Sequence, residues 1–298
     1  MTSDIRNNQL VERPDWLEHS VWPHEVKSTQ VEGRVIAYTD EGTGPALLLV
    51  HDGMWSYVWG QLIEQLKDDF RVLTLDFPGS GLSPDDGSRP SLEEDSNLLE
   101  AFVDHQSIQK ATPVLHDLGG SVGVGLALRR PDFVEGVVLM NTFAWPPQTP
   151  SLRAMFKLMT SRPIRSLNVA TNLVPRLTTS SSGIGRHLDD AARSTFLGGF
   201  EERRARRRFH DLMAAAREET EFLAELEQGL RTTLSGIPAL TIYGEKNDPF
   251  GFQATFAGYL SDVEEMVIPG GNHFPMCDDP QGVAATIADW HRRKVSVD

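Results

Sequence analysis

The chain has 298 residues, 40% of them hydrophobic, which is enough for one large core, and α/β folds of this size commonly form one unit with an insertion. Its 28 Lys and Arg against 42 Asp and Glu give a net charge of -14, which disfavours nucleic acid and anionic lipid as partners. The single Cys277 excludes an internal disulfide framework and fits a reducing compartment, so the cytoplasm is the default. The polar N-terminus and the lack of a run of roughly 18 apolar residues give no support to secretion or membrane insertion.

Two β-prone runs, 25–31 and 34–39, flank a Glu-Gly turn and predict an opening hairpin. ALLLVHD at 46–52 and RVLTLDF at 71–77 are apolar runs of strand length separated by a helical spacing, and they predict the start of a parallel sheet. After the breaker-rich loop PGSGLSP, Ser91 followed by Glu94 marks a capping box opening a helix over 92–103. ATPVLHD (111–117), GGSVGVGLALRR (119–130) and VEGVVLMNT (134–142) then form βαβ units with right-handed crossovers. The pattern turns polar, Arg-rich and helical from Trp145 to Gly229. Sheet signals resume at 238–248 and 264–271, and a last helix covers 281–294. The expected organisation is a core over 1–144 and 230–298 with a helical cap inserted at 145–229.

Ligands of open parallel sheets bind beyond the carboxyl ends of the strands, which singles out His51, Asp117, Asn141, Asp248 and His273. Asp117 ends a strand and runs through Leu118, Gly119 and Gly120 straight into a helix, the geometry of a nucleophile elbow, although an aspartate there also serves as a helix N-cap. His273 lies on the loop after the last core strand, where a base can reach the elbow. Asp248 ends the preceding strand and could orient the ring, although Asp before Pro249 is also an ordinary turn former.

The segments TLDFPGSGLSP, HDLGGSVGVGLALRRPDFVEGVVLMNT, YGEKND and GGNHFP occur in that order across nearly the whole chain, and with them the sequence resembles the α/β-hydrolase superfamily, in particular its haloalkane dehalogenase and epoxide hydrolase branch. The resemblance implies an α/β-hydrolase fold: a mostly parallel central sheet flanked by helices, with an inserted helical cap. It also implies an aspartate nucleophile in the HD-x-GG elbow. Relatives that carry the acid at the end of the strand before the cap differ from this chain, which has Asn141 there, leaving Asp248 as the acid and Glu245 as a weak substitute.

A carboxylate is anionic at neutral pH and attacks without a base, so the expected chemistry is displacement at an sp3 carbon by Asp117, followed by hydrolysis of the ester by water that His273 activates. The oxyanion donors are expected from the backbone of Leu118 and from the HDGMW loop, at Asp52 or Gly53. For the leaving group, the halide-binding Trp that the family places after the nucleophile is replaced by Leu118. All four tyrosines fall outside the cap, which leaves Trp55 and Trp145 as candidate donors or simple pocket lining. The Arg-rich run 201–210 reads as a solvated helix face.

The expected activity is that of a hydrolase opening an epoxide or displacing a halide on a small hydrophobic substrate, with water as co-substrate and no cofactor or metal. Homodimerisation is left open. Two alternatives stand beside it: an ester or lactone hydrolase, or lyase, with Asp117 as base, and a catalytically retired ligand-binding homologue.

Overall fold

The computed structural model describes residues 10–181 and 183–295, the side chain of Asp52 excepted. Strands β1 (Lys27–Val31) and β2 (Arg34–Glu41) pair antiparallel across Glu32 and Gly33, both at positive φ, as a type I′ hairpin turn requires. They continue into β3 (Ala46–Asp52), α1 (Gly60–Leu66), β4 (Arg71–Leu75), α2 (Leu92–His105), β5 (Thr112–Asp117), α3 (Gly119–Arg129) and β6 (Val137–Thr142). The Ser91 hydroxyl accepts the Glu94 N–H at 3.2 Å and starts α2 as the capping pattern predicts.

Between β6 and β7 (Ala239–Gly244) the chain inserts α4 (Pro150–Met159), α5 (Arg162–Thr171), α6 (Leu173–Thr178), α7 (Asp190–Gly198), α8 (Arg203–Glu218) and α9 (Thr220–Arg231). After β7 come α10 (Phe252–Tyr259), β8 (Val263–Ile268), α11 (Pro275–Asp278) and α12 (Pro280–Lys294). The eight strands form one sheet in the order β1-β2-β4-β3-β5-β6-β7-β8, parallel from β4 onward. This is an α/β-hydrolase fold.

The central strands are buried on both faces: Leu47, Leu48, Leu49 and Val50 of β3 have no exposed surface, which is why this run is continuously apolar and not alternating. The elbow depends on two close approaches. A Cβ on Gly119 would lie 2.5 Å from the Val50 carbonyl oxygen, and one on Gly120 would lie 1.7 Å from Thr142 Oγ1, so only glycine lets α3 start this near to β3 and β6.

The Arg-rich run is more than a solvated face. Arg208 of α8 is buried, donates to the Pro78 carbonyl at 2.9 Å and pairs with Asp95 of α2 at 2.6 Å, while exposed Arg204 pairs with Asp85. These contacts fasten α8 to the core. At the end of the insertion, α9 packs directly on α3, with Gly229 against Leu128 and Phe222 over Gly125.

Candidate active site

Asp117 closes β5 with φ +52°, a left-handed conformation that costs a residue with a side chain about 1–2 kcal/mol and is sustained only where the surroundings over-determine it. Here they do. The Thr142 hydroxyl donates to the Asp117 carbonyl at 2.5 Å, the β5–β6 register shifts between His116 and Asp117, and the two glycines admit α3 immediately behind. The result presents the Asp117 carboxylate to an apolar cavity of about 320 Å³.

His273, on the loop between β8 and α11, puts Nε2 3.3 Å from Asp117 Oδ2. Burial pushes the Asp117 carboxyl upward, but the charge and hydrogen bond of His273, with the Leu118 N–H, outweigh burial and hold it below the ordinary carboxylate range. The carboxylate is therefore available as an anion at neutral pH. The Leu118 N–H that donates to it is the donor expected of an oxyanion site. Gly53 has φ +96°, and a Cβ there would touch Phe209 and Leu118, so the HDG loop passes over the elbow. The Asp52 side chain lies outside the described residues.

The acid expected at Asp248 is elsewhere. Its two carboxylate oxygens accept the Phe252 and Gln253 N–H groups at 2.7 and 3.0 Å and cap α10, the ordinary role of an aspartate before a helix. Its neighbour Asn247 meets the ring instead, with Oδ1 2.8 Å from His273 Nδ1. Sequence reasoning did not single out Asn247; the signal that could have found it is its place three residues after the end of β7. Glu245 accepts the Gly270 N–H.

Both indoles also depart from expectation, and neither lines the cavity. Trp55 donates to the Phe196 carbonyl at 3.1 Å, and Trp145 packs on Phe252, Phe256 and Tyr259. Tyr243 reaches the cavity, but its hydroxyl donates to the Thr142 carbonyl at 2.6 Å and accepts the Thr142 N–H at 3.1 Å. The walls are otherwise largely apolar, with Leu152 and Phe156 from α4, Phe209 and Met213 from α8, and Phe250 and Phe252 beside β7. Such a lining suits a hydrophobic ligand oriented by a few polar groups at one end.

Beneath the site, fully buried His116 lies with Nε2 2.7 Å from the His273 carbonyl oxygen and Nδ1 3.2 Å from His51 Nδ1. Burial, reinforced by the His273 charge, lowers His116 well below its ordinary value and His51 to about 3, so both are neutral supports of the His273 loop and not second bases. Among the described residues no group of three or more His, Cys, Asp or Glu is placed to hold a metal ion, and no helix is long and apolar enough to cross a membrane.

A signature described as the alpha/beta hydrolase family matches residues 47–286. Haloalkane dehalogenase 2 of Mycobacterium tuberculosis is 31% identical over 268 residues, covering 85% of this chain and 90% of the relative. A Xanthomonas campestris protein named cis-3-alkyl-4-alkyloxetan-2-one decarboxylase is 26% identical over 288 residues, covering 88% and 93%. The solved structure of the epoxide hydrolase CorEH superposes with a TM-score of 0.77 at 19% identity, covering 90% and 99%. With the elbow, the parallel sheet and the inserted helices in place, the chain belongs to the alpha/beta hydrolase family, in its haloalkane dehalogenase-like branch.

Proposed function

We propose that this hydrolase works through an alkyl ester on Asp117, on the strength of one observation: a carboxylate held as an anion, 3.3 Å from His273 Nε2, at the base of an apolar cavity. The carboxylate attacks an sp3 carbon and the carbon–halogen or epoxide carbon–oxygen bond breaks, its electron pair leaving with the halide or alkoxide. Esterification neutralises Asp117. His273 Nε2 then takes a proton from water as the hydroxide adds to the ester carbonyl, the Leu118 N–H stabilises the oxyanion, and collapse releases the alcohol and regenerates the carboxylate, the proton on His273 passing to solvent after halide displacement or to the alkoxide after epoxide opening. A small hydrophobic organic molecule and water are the reactants.

A second reading is favoured by the leaving-group side of the cavity. Neither indole reaches it, and the Tyr243 hydroxyl is engaged by Thr142, so the aromatic donors that would steady a departing halide or alkoxide are missing. A four-membered lactone opened at its sp3 carbon expels its own carboxylate, a stable anion that needs little help, and a relative of this chain is named for acting on an oxetan-2-one.

The test uses His273→Gln, in which the ester should persist, incubated with 1-haloalkanes, alkyl epoxides and dialkyl oxetan-2-ones and read by intact mass and peptide mapping. An adduct on Asp117 from one class supports the pathway and identifies the leaving group. Turnover by the unmodified protein in oxygen-18 water with no label entering Asp117 would overturn it.

A further inference from the structure

Asn247 and Asn141 form a hydrogen-bond chain whose direction is fixed at one end by the backbone. The Gly244 N–H can only donate, so Asn141 Oδ1, 2.9 Å away, is the acceptor, and Asn141 presents its Nδ2 on the other side. That NH2 lies 2.9 Å from the Asn247 carbonyl oxygen, a group that can only accept, which confirms the orientation, and 3.2 Å from Asn247 Oδ1. The oxygen of the Asn247 amide therefore faces both Asn141 and His273, and the His273 Nδ1 at 2.8 Å must carry a hydrogen. In the neutral ring the lone pair is then left on Nε2, the nitrogen beside Asp117.

Asn141 is buried, stands one residue before the end of β6 at φ +38° and is tied to Gly244 at the end of β7, so the chain rests on two adjacent strand ends of the sheet and not on a loop. The left-handed backbone suits asparagine better than most side chains. The carboxylate that stands nearest in sequence, Asp248, is consumed by the N–H groups of α10.

We infer that Asn247, oriented by Asn141, is the positioning residue of His273, an amide pair doing here what a carboxylate does in a nucleophile–base–acid triad. The consequence for catalysis rests on the Asp117 reading. Before attack, the anion of Asp117 is beside Nε2; once Asp117 is esterified, the ring touches no carboxylate of the described residues through either nitrogen, and Asn247 Oδ1 holds it in the tautomer that can accept a proton from water. Alkylation needs only the carboxylate, whereas ester hydrolysis needs the oriented ring. Loss of the amide pair should thus affect the two steps unequally.

Two readouts test this. In 15N-histidine-labelled protein at a pH where the ring is neutral, with His273 assigned by its loss in His273→Gln, the resonances should report the Nδ1–H tautomer. Asn141→Asp should reverse it, because a carboxylate there draws the Asn247 NH2 inward. In single-turnover experiments followed by intact mass, Asn247→Leu should alkylate Asp117 within about threefold of the unmodified rate and lose the adduct roughly 100-fold more slowly. Asn247→Asp, which keeps the acceptor and the shape, should lose it at least as fast as the unmodified protein. An Nε2–H tautomer in the unmodified protein, or wild-type adduct decay in a folded Asn247→Leu, would overturn the inference. The Nδ1–H tautomer together with no Asp117 adduct in any variant would instead overturn the ester pathway and leave the positioning role standing.

Discussion

The floor and the roof of the cavity are built in different ways. The floor is made of strand ends: Asp117 on β5, Asn141 on β6 and Asn247 just past β7 are held by backbone hydrogen bonds and by glycine contacts too close for any other residue. The roof is made of side chains from α4 and α8, attached to the core through Arg208 and through apolar packing, with Met155 and Leu158 of α4 left exposed. In the proposed mechanism the chemistry that needs sub-ångström placement sits on the sheet, and recognition, which tolerates a change of shape, sits on the helices.

The comparison breaks most sharply at Asp117. Asp117→Ala should cut turnover about 10⁴-fold, as expected for loss of a covalent nucleophile, while keeping a side chain at the left-handed φ and leaving thermal stability within about 1 kcal/mol of the unmodified protein. Steady-state kinetics beside calorimetry would check it, and a modest loss of activity would mean that the floor acts without its carboxylate. Next is the attachment of the roof. Arg208→Ala leaves the buried Asp95 carboxylate without its 2.6 Å guanidinium and should destabilise the protein by about 3–5 kcal/mol in urea unfolding.

A smaller effect appears with acid. In the unfolded chain His51 takes up a proton below 6.5, whereas in the folded protein it stays neutral down to about 3, so stability falls as pH drops through that window and does not change above it. Asp76, buried and raised to about 6, acts in the opposite sense, its stabilising contribution being lost as pH rises towards 6. Since Asp76 is common to both proteins, comparing His51→Phe with the unmodified chain isolates the histidine: between pH 7 and pH 5 the variant should lose about 2 kcal/mol less. The smallest effect belongs to the rim of the roof. Met155→Ala should move stability by less than about 1 kcal/mol and shift preference among substrates differing by a methylene by roughly tenfold or less, read as ratios of kcat/KM.

Much of the floor was legible in the sequence. The run from Leu115 to Gly120 announces strand, sharp turn and close helix packing together, because only glycine accepts contacts of 2.5 Å and below at Gly119 and Gly120. The insertion was legible as helices, but not the fate of its charges: Arg204 and Arg208 lie one turn apart in α8, and one remains at the surface while the other crosses to Asp95. Nor could composition tell that Trp55 is turned to the Phe196 carbonyl and Trp145 to the aromatic ring of α10, since an indole's direction is set by whichever partner satisfies or packs against it.

What the sequence determined by itself is the alternation of buried strands and helices and the order in which Asp117 and His273 follow their strands, because periodicity, glycine placement and strand-ending polar residues are local properties of the chain. What only the tertiary structure decided is which of two consecutive residues serves His273. Asn247 and Asp248 are one peptide apart, and the carboxylate is the better partner by chemistry. Yet the start of α10 leaves two N–H groups unpaired at Phe252 and Gln253, and Asp248 is drawn to them. The amide is thus left facing the ring, by a competition among hydrogen-bond partners that exists only once β6, β7, α10 and the His273 loop have met.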